Sequence, residues 1–209
     1  MKVLLVNGSP HQYGTTNSAL EEICKVLNEE NIETEIIWLG TEPIAGCIGC
    51  LYCRKNKNGC FRNDLVNEFQ AKAKDADGFV FGSAVHYAGA SGAITSFLDR
   101  VFYSAEKELF RLKPGAVVVV SRRAGTTSAY SQLIKYLGIS EMTIISSGYW
   151  NMVFGNSADE AKEDLEGLQT MRTLARNMAY YLKCIKVAKE NGIEPPKQEK
   201  KNFRTNFIR

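Results

Sequence analysis

The chain has 209 residues, of which 44% are hydrophobic and 23% charged, with a formal net charge of +3. That length suffices for one α/β domain with a substantial core, and the composition is ordinary for a globular protein. A charge this small does not argue for nucleic-acid binding, which would need a strongly clustered basic face. No apolar stretch approaches the length of a membrane span, and the opening MKVLLVNGSP carries no signal-peptide cleavage pattern, so the expectation is a cytoplasmic protein with no membrane partner.

Residues 2–7 (KVLLVN) form a short apolar run that ends in Gly-Ser-Pro, as expected of a strand buried on both faces. Residues 16–30 place Leu20, Ile23, Cys24 and Leu27 at helical spacing, and residues 34–39 read as a second strand. A helix is expected over 64–76, with Leu65, Phe69 and Ala73 on one face. Residues 78–82 (GFVFG) give a third strand. Residues 90–103 are helical, with Ile94, Phe97, Leu98 and Val101 inward. The run AVVVV at 116–120 is the fourth strand, 127–137 is helical, and 142–147 supplies a fifth strand. A long helical pattern occupies much of 157–191. Five strands alternating with helices imply a doubly wound parallel sheet covered on both faces. Residues 1–193 are expected to form one domain. Residues 194–209 read as a tail whose Phe203, Phe207 and Ile208 either fray in solvent or dock on a neighbouring subunit.

The loop GSPHQYGTTN, residues 8–17, joins the first strand to the first helix, at the end of the sheet where open α/β proteins bind ligands. Ser9, Thr15, Thr16 and Asn17 offer hydroxyl and amide donors, and the helix start adds free N–H groups and a positive dipole end. Thr15 or Thr16 could instead simply cap the helix. Four donors between two glycines exceed that need and favour a phosphate. The loop matches neither G-x-x-x-x-G-K-[ST] nor G-x-G-x-x-G, which points to a phosphate monoester rather than a nucleotide triphosphate or dinucleotide.

Cys47, Cys50, Cys53 and Cys60 crowd into one segment, whereas Cys24 and Cys184 stand in helical patterns and are expected to be core thiols. A disulfide framework is not expected in a reducing compartment. Four thiolates in one loop can wrap an iron-sulfur cube, and Gly46, Gly49 and Gly59 give that loop turning freedom. Tetrahedral zinc and a metal-free set of redox or packing thiols are the alternatives. His11 and His86 have no partner at metal-ligand spacing. Among the aromatic residues, Tyr87 is expected near a cofactor or substrate and Trp150 in the core. No Ser/His/Asp set or carboxylate pair suggests hydrolytic chemistry.

Three loop signatures carry a resemblance. GSP-x-x-x-G-x-T follows the first strand, GS-x-V-x-Y the third, and SRRAGTTS the fourth. Together with SSGYWNMVFG and the terminal TNFIR they resemble the NADPH-dependent FMN reductase family, especially its iron-sulfur flavoproteins. The resemblance implies a flavodoxin-like fold of five parallel strands in the order 2-1-3-4-5, with FMN at the strand ends. It implies that Ser9, Thr15, Thr16 and Asn17 hold the phosphate. Ser83, Ala84, Val85, His86 and Tyr87 would run along the isoalloxazine ring, and Arg122, Arg123, Ala124, Gly125 and Thr126 would border its other edge. Cys47, Cys50, Cys53 and Cys60 would carry a 4Fe–4S cluster. The implied function is an FMN-dependent oxidoreductase that passes electrons from NAD(P)H or a reduced carrier to a small acceptor, as a homodimer or homotetramer. The alternatives are a flavodoxin-like electron carrier serving ferredoxin or another redox protein, with no small-molecule substrate, and a redox-sensing or structural module. Hydride transfer obliges no protein acid or base, so no catalytic residue is assigned.

Overall fold

The computed structural model describes residues 1–56, 59–199, 202, 203 and 205. Its centre is a parallel sheet built from the apolar runs. Strands β1 (Lys2–Asn7), β3 (Gly78–His86) and β5 (Pro114–Ser121) lie between helices on both sides, which is why their sequences do not alternate with polar residues. Pleating sends successive side chains to opposite layers. Leu4, Val6, Phe79, Phe81 and Val117 pack with helices α3 (Leu65–Ala73), α4 (Gly92–Ser104) and α5 (Thr126–Ile139). Val3, Leu5, Val80, Ala116 and Val118 pack with α1 (Thr15–Glu29) and α7 (Leu165–Glu190).

Strand β2 (Glu33–Trp38) pairs with β1, and the main path of the seven-stranded sheet is β2-β1-β3-β5-β6. This is the doubly wound, flavodoxin-like arrangement, although the strand count exceeds the five expected. Two short additions account for the difference. Strand β4 (Gly89–Ala90) turns back antiparallel on the end of β3. The fifth position along the sheet is divided between β6 (Thr143–Ile144), which pairs with Pro114 and Gly115, and β7 (Met152–Phe154), which pairs with Val119 to Ser121. Between them the chain leaves the sheet, held by Ser147 Oγ, which donates to Tyr149 O at 2.6 Å and lies 2.7 Å from Asn151 Oδ1.

This excursion corrects one expectation: Trp150 is 51% exposed instead of buried, because it rides on the segment outside the sheet. A second correction concerns Cys184, which is exposed. Helix α7 has 26 residues and is therefore about 39 Å long. Its last buried residue is Leu182, so Cys184 lies on a stretch beyond the core. Cys24 is half-buried, packed against the core on the α1 side. The long helical pattern is broken at Asp164 into α6 (Ala158–Glu163) and α7, because the Asp164 carboxylate accepts from Gly167 N at 2.9 Å and Phe154 N at 2.7 Å. Helix α2 (Tyr52–Asn56) lies within the cysteine segment. No helix among the described residues is long and apolar enough to cross a membrane. In the tail, Pro196 O accepts from Arg111 and Gln198 donates to Glu141, both within the same chain, while Phe203 is exposed. Phe207 and Ile208 lie outside the described residues.

Candidate functional site

Strand order reverses around β1 and β3, so the loops after β1, β3 and β5 meet at one end of the sheet. The first loop is shaped by its own polar groups. Asn7 Oδ1 accepts from Ser9 N at 3.0 Å, Ser9 Oγ accepts from His11 N at 3.1 Å, and Trp38 Nε1 donates to Ser9 O at 2.8 Å. Gly8 is required by space: a Cβ there would lie 2.7 Å from Ile94 Cβ and 2.9 Å from Gly82 O.

Neither Thr15 nor Thr16 caps α1. Gly14 occupies the N-cap and has no side chain to offer, and the first helical bond runs from Ser18 N to Gly14 O at 3.1 Å. The N–H groups of Thr15, Thr16 and Asn17 have no protein acceptor among the described residues. Their side chains are buried beside those N–H groups, and Thr15 Oγ1 donates to Gly155 O at 3.3 Å. A helix start left open in this way suits an anion, because the free N–H groups and the dipole act together.

The second loop continues β3. Ser83 is buried; its Oγ donates to Ala84 O at 2.8 Å and accepts from Ser91 N at 3.1 Å. Ala84 and Val85 are half-buried, while His86 and Tyr87 are exposed. Tyr87 and Ala88 both have positive φ (49° and 61°), forming the two-residue hairpin turn between β3 and β4. Neither is glycine, so the turn holds backbone strain at the mouth of the site. The third loop leans on that turn. Gly125 has φ +90°, and a Cβ there would lie 2.6 Å from Ala88 Cα. Gly125 is also the N-cap of α5, which leaves a second open helix start beside buried Thr126. Arg122, Arg123 and Ala124 are exposed at the rim. Ser121 Oγ is buried and has no hydrogen-bond partner among the described residues, so it is an orphan donor at the end of β5.

The structure thus brings the three predicted loops together. Sequence reasoning missed Gly155, which joins β7 to this end through Thr15 and through its N–H to Ser121 O at 3.1 Å. It also missed Ser91, whose side chain caps α4 and ties two loops together. A serine three residues before Ile94 at the start of an apolar helical run was the available signal.

A separate constellation forms around the cysteines. Cys47, Cys50, Cys53 and Cys60 all line one small cavity. None of the four is in a disulfide; Cys47 and Cys50 are exposed, while Cys53 and Cys60 are half-buried. Gly49 and Gly59 take positive φ (65° and 85°), the turning freedom expected of this segment. Among the described residues no three His, Cys, Asp or Glu side chains converge on a single metal position, so the cysteines share a cavity rather than a point. Cys53 Sγ lies 3.9 Å from Tyr103 O. Cys60 is held most firmly. Asn67 accepts from its N–H at 3.0 Å and donates to its carbonyl at 2.9 Å. Arg100 of α4, 1% exposed, donates to Cys60 Sγ from Nε at 3.4 Å and Nη2 at 3.3 Å. The same guanidinium grips Asp64 in a two-point fork of 2.6 and 2.8 Å. Burial opposes its charge, but the Asp64 and Cys60 contacts outweigh that and hold its pKa above the ordinary value.

A doubly wound parallel sheet with a glycine-capped helix start at its switch point defines a flavodoxin-like protein. The family model described as NADPH-dependent FMN reductase matches residues 1–157. An iron-sulfur flavoprotein of Methanocaldococcus jannaschii is 33% identical over 193 residues, covering 89% of this chain and all of the relative. Among solved structures, RosB with a bound 8-demethyl-8-formylriboflavin-5'-phosphate intermediate has TM-score 0.71 at 14% identity, covering 100% of this chain and 95% of that one. An archaeal flavodoxin has TM-score 0.58 at 17% identity, covering 88% of this chain and 99% of that one. The chain belongs to the NADPH-dependent FMN reductase family, in its iron-sulfur flavoprotein branch. Its chemistry is flavin-dependent oxidoreduction with FMN.

Proposed function

We propose that the chain binds FMN with its phosphate on the open start of α1, held by Ser9, Thr15, Thr16 and Asn17. The observation that carries this reading is the glycine N-cap, which leaves three N–H groups free beside three buried polar side chains. Residues 83–87 and 122–126 would hold the ring between them, where Ser121 Oγ and the open start of α5 offer donors. A donor or cation near the pyrimidine edge stabilises reduced, anionic flavin, and Arg122 and Arg123, exposed after β5, would supply it. When bound, FMN supplies both hydride acceptance and single-electron release. The protein binds the phosphate, orients the ring and sets the charge around it.

The donor set of the second cavity fits a 4Fe–4S cluster: four cysteine sulfurs around one space, with N–H donors already aimed at one of them. Cys47, Cys50, Cys53 and Cys60 would be its ligands. In this reading electrons enter from NAD(P)H or a reduced carrier and leave to a small acceptor, with the cluster as the single-electron port. The chain acts as a homodimer or homotetramer; light scattering on purified protein tests the assembly.

The test is anaerobic purification, with FMN, iron and sulfide measured per chain, followed by reduction with NADH, NADPH or reduced ferredoxin. Bleaching of bound flavin by a nicotinamide supports the reductase. Bleaching by reduced ferredoxin alone supports the carrier instead. Absence of iron in freshly isolated protein overturns the cluster assignment, and failure to bind FMN overturns the whole reading. The near-isosteric Thr16→Val variant is expected to lose about tenfold in FMN affinity; unchanged binding would remove Thr16 from the cradle.

A further inference from the structure

We propose that Arg100 is a positioning residue that aims the Cys60 sulfur into the cysteine cavity and, through its N–H···S bonds, raises the reduction potential of the cluster bound there. The inference rests on the cluster reading of that cavity.

Among the described residues Arg100 is the largest fully buried side chain, in a class of residue that is almost never fully buried without a partner. Its placement is expensive unless every donor is satisfied. All of them are. Nε–H points to Cys60 Sγ. Nη1 serves Asp64 and Ala45 O, and Nη2 serves Asp64, Arg62 O and Cys60 Sγ. Asp64 itself is fixed as the N-cap of α3, accepting from Val66 N at 3.2 Å. The fork therefore has no freedom to turn, and the sulfur sits where two of its donors converge.

A guanidinium can only donate, so the group opposite must accept. A cysteine sulfur on iron carries negative charge and does so well; adding one electron to the cluster increases that charge. Donors to cluster sulfurs therefore stabilise the reduced form over the oxidised one, and surrounding hydrogen bonds are a recognised lever on cluster potential. Cys47, Cys50 and Cys53 accept no hydrogen bond from a charged side chain among the described residues, although Arg62 also lines the cavity. The four ligands are thus unequal, and Cys60 is the one that carries the electrostatic control.

The experiment compares anaerobically reconstituted wild-type protein with Arg100→Gln, Arg100→Lys and Asp64→Asn. Iron, sulfide and FMN content are measured, and the cluster midpoint is read by redox titration followed by electron paramagnetic resonance. Arg100→Gln should lower the midpoint by a tenfold shift in the reduction equilibrium, about 59 mV for one electron. Arg100→Lys keeps the charge without the fork and should recover part of that shift. Asp64→Asn keeps an N-cap and the arginine but removes a negative charge, so its midpoint should move upward. If Arg100→Gln does not fold, Asp64→Asn decides on its own. Iron-loaded variants with the wild-type midpoint overturn the role of Arg100 while leaving the cluster reading intact. Wild-type protein that takes up no iron overturns both.

Discussion

Ser91 Oγ donates to the carbonyl of Gly8 at 2.7 Å while accepting from Ile94 N at 3.3 Å. One buried hydroxyl thus caps α4 and fastens the loop after β1 to the loop after β3. Ser91→Ala removes the cap and leaves the Gly8 carbonyl unsatisfied, for an expected loss of about 1–3 kcal/mol in urea denaturation. FMN affinity should fall as well, because both cradle loops lose their common anchor. Titration of the apoprotein with FMN measures the second effect.

Two glycines should respond oppositely to alanine. Gly125→Ala forces a side chain into left-handed backbone and against Ala88 Cα at 2.6 Å. The backbone term alone is roughly 1–2 kcal/mol, and the hairpin at Tyr87 and Ala88 must shift, so flavin binding should weaken about tenfold or more. A Cβ at Gly92 meets nothing within 4 Å, and the residue sits at the first position of α4. Gly92→Ala should therefore stabilise the fold by about 0.5–1 kcal/mol. Thermal melts of the two variants should move in opposite directions.

Burial pushes the Cys24 thiol up from 9.0 to about 11, and Glu21 adds to the effect against an opposing contact with Thr34. The raised value belongs to the folded state, so the stability it provides is complete below pH 9 and is lost as pH rises through about 11. Cys24→Ala should flatten the decline in stability between those limits. At pH 8.5, alkylation followed by mass spectrometry should label exposed Cys184 well before Cys24.

Much of the fold could be read from runs such as KVLLVN and AVVVV, because strands covered on both faces need apolar side chains at every position. The loop proposed to hold the phosphate stood out because its glycines and hydroxyls are close together in sequence. Other features were beyond such reasoning. The edge strand stops at Ile144 and resumes at Met152, and nothing in local propensity tells that the chain returns to the same partner. Arg100 and Asp64 are 36 residues apart, and their pairing depends on how α4 lies against the cysteine segment. A hint was present: Arg100 interrupts the apolar face of Phe97, Leu98 and Val101. Cysteine and tryptophan favour interiors on average, and that average misled at Cys184 and Trp150, where the chain had already left the packed layers.

Helix α4 begins at Ser91, in the cradle, and carries Arg100 nine positions later, in the wall of the cysteine cavity. The proposed flavin end and the proposed cluster cavity are therefore separated by a rigid rod, roughly 14 Å of helix at 1.5 Å per residue. Distance and orientation are counted along it in the same units. One inserted residue would turn Arg100 by about 100° away from Cys60, whereas a whole added turn would lengthen the gap by about 5.4 Å and restore the facing. Such insertions vary the spacing between the flavin end and the sulfur cavity in discrete steps, so electron-transfer rate and helical phase can be separated within a single chain.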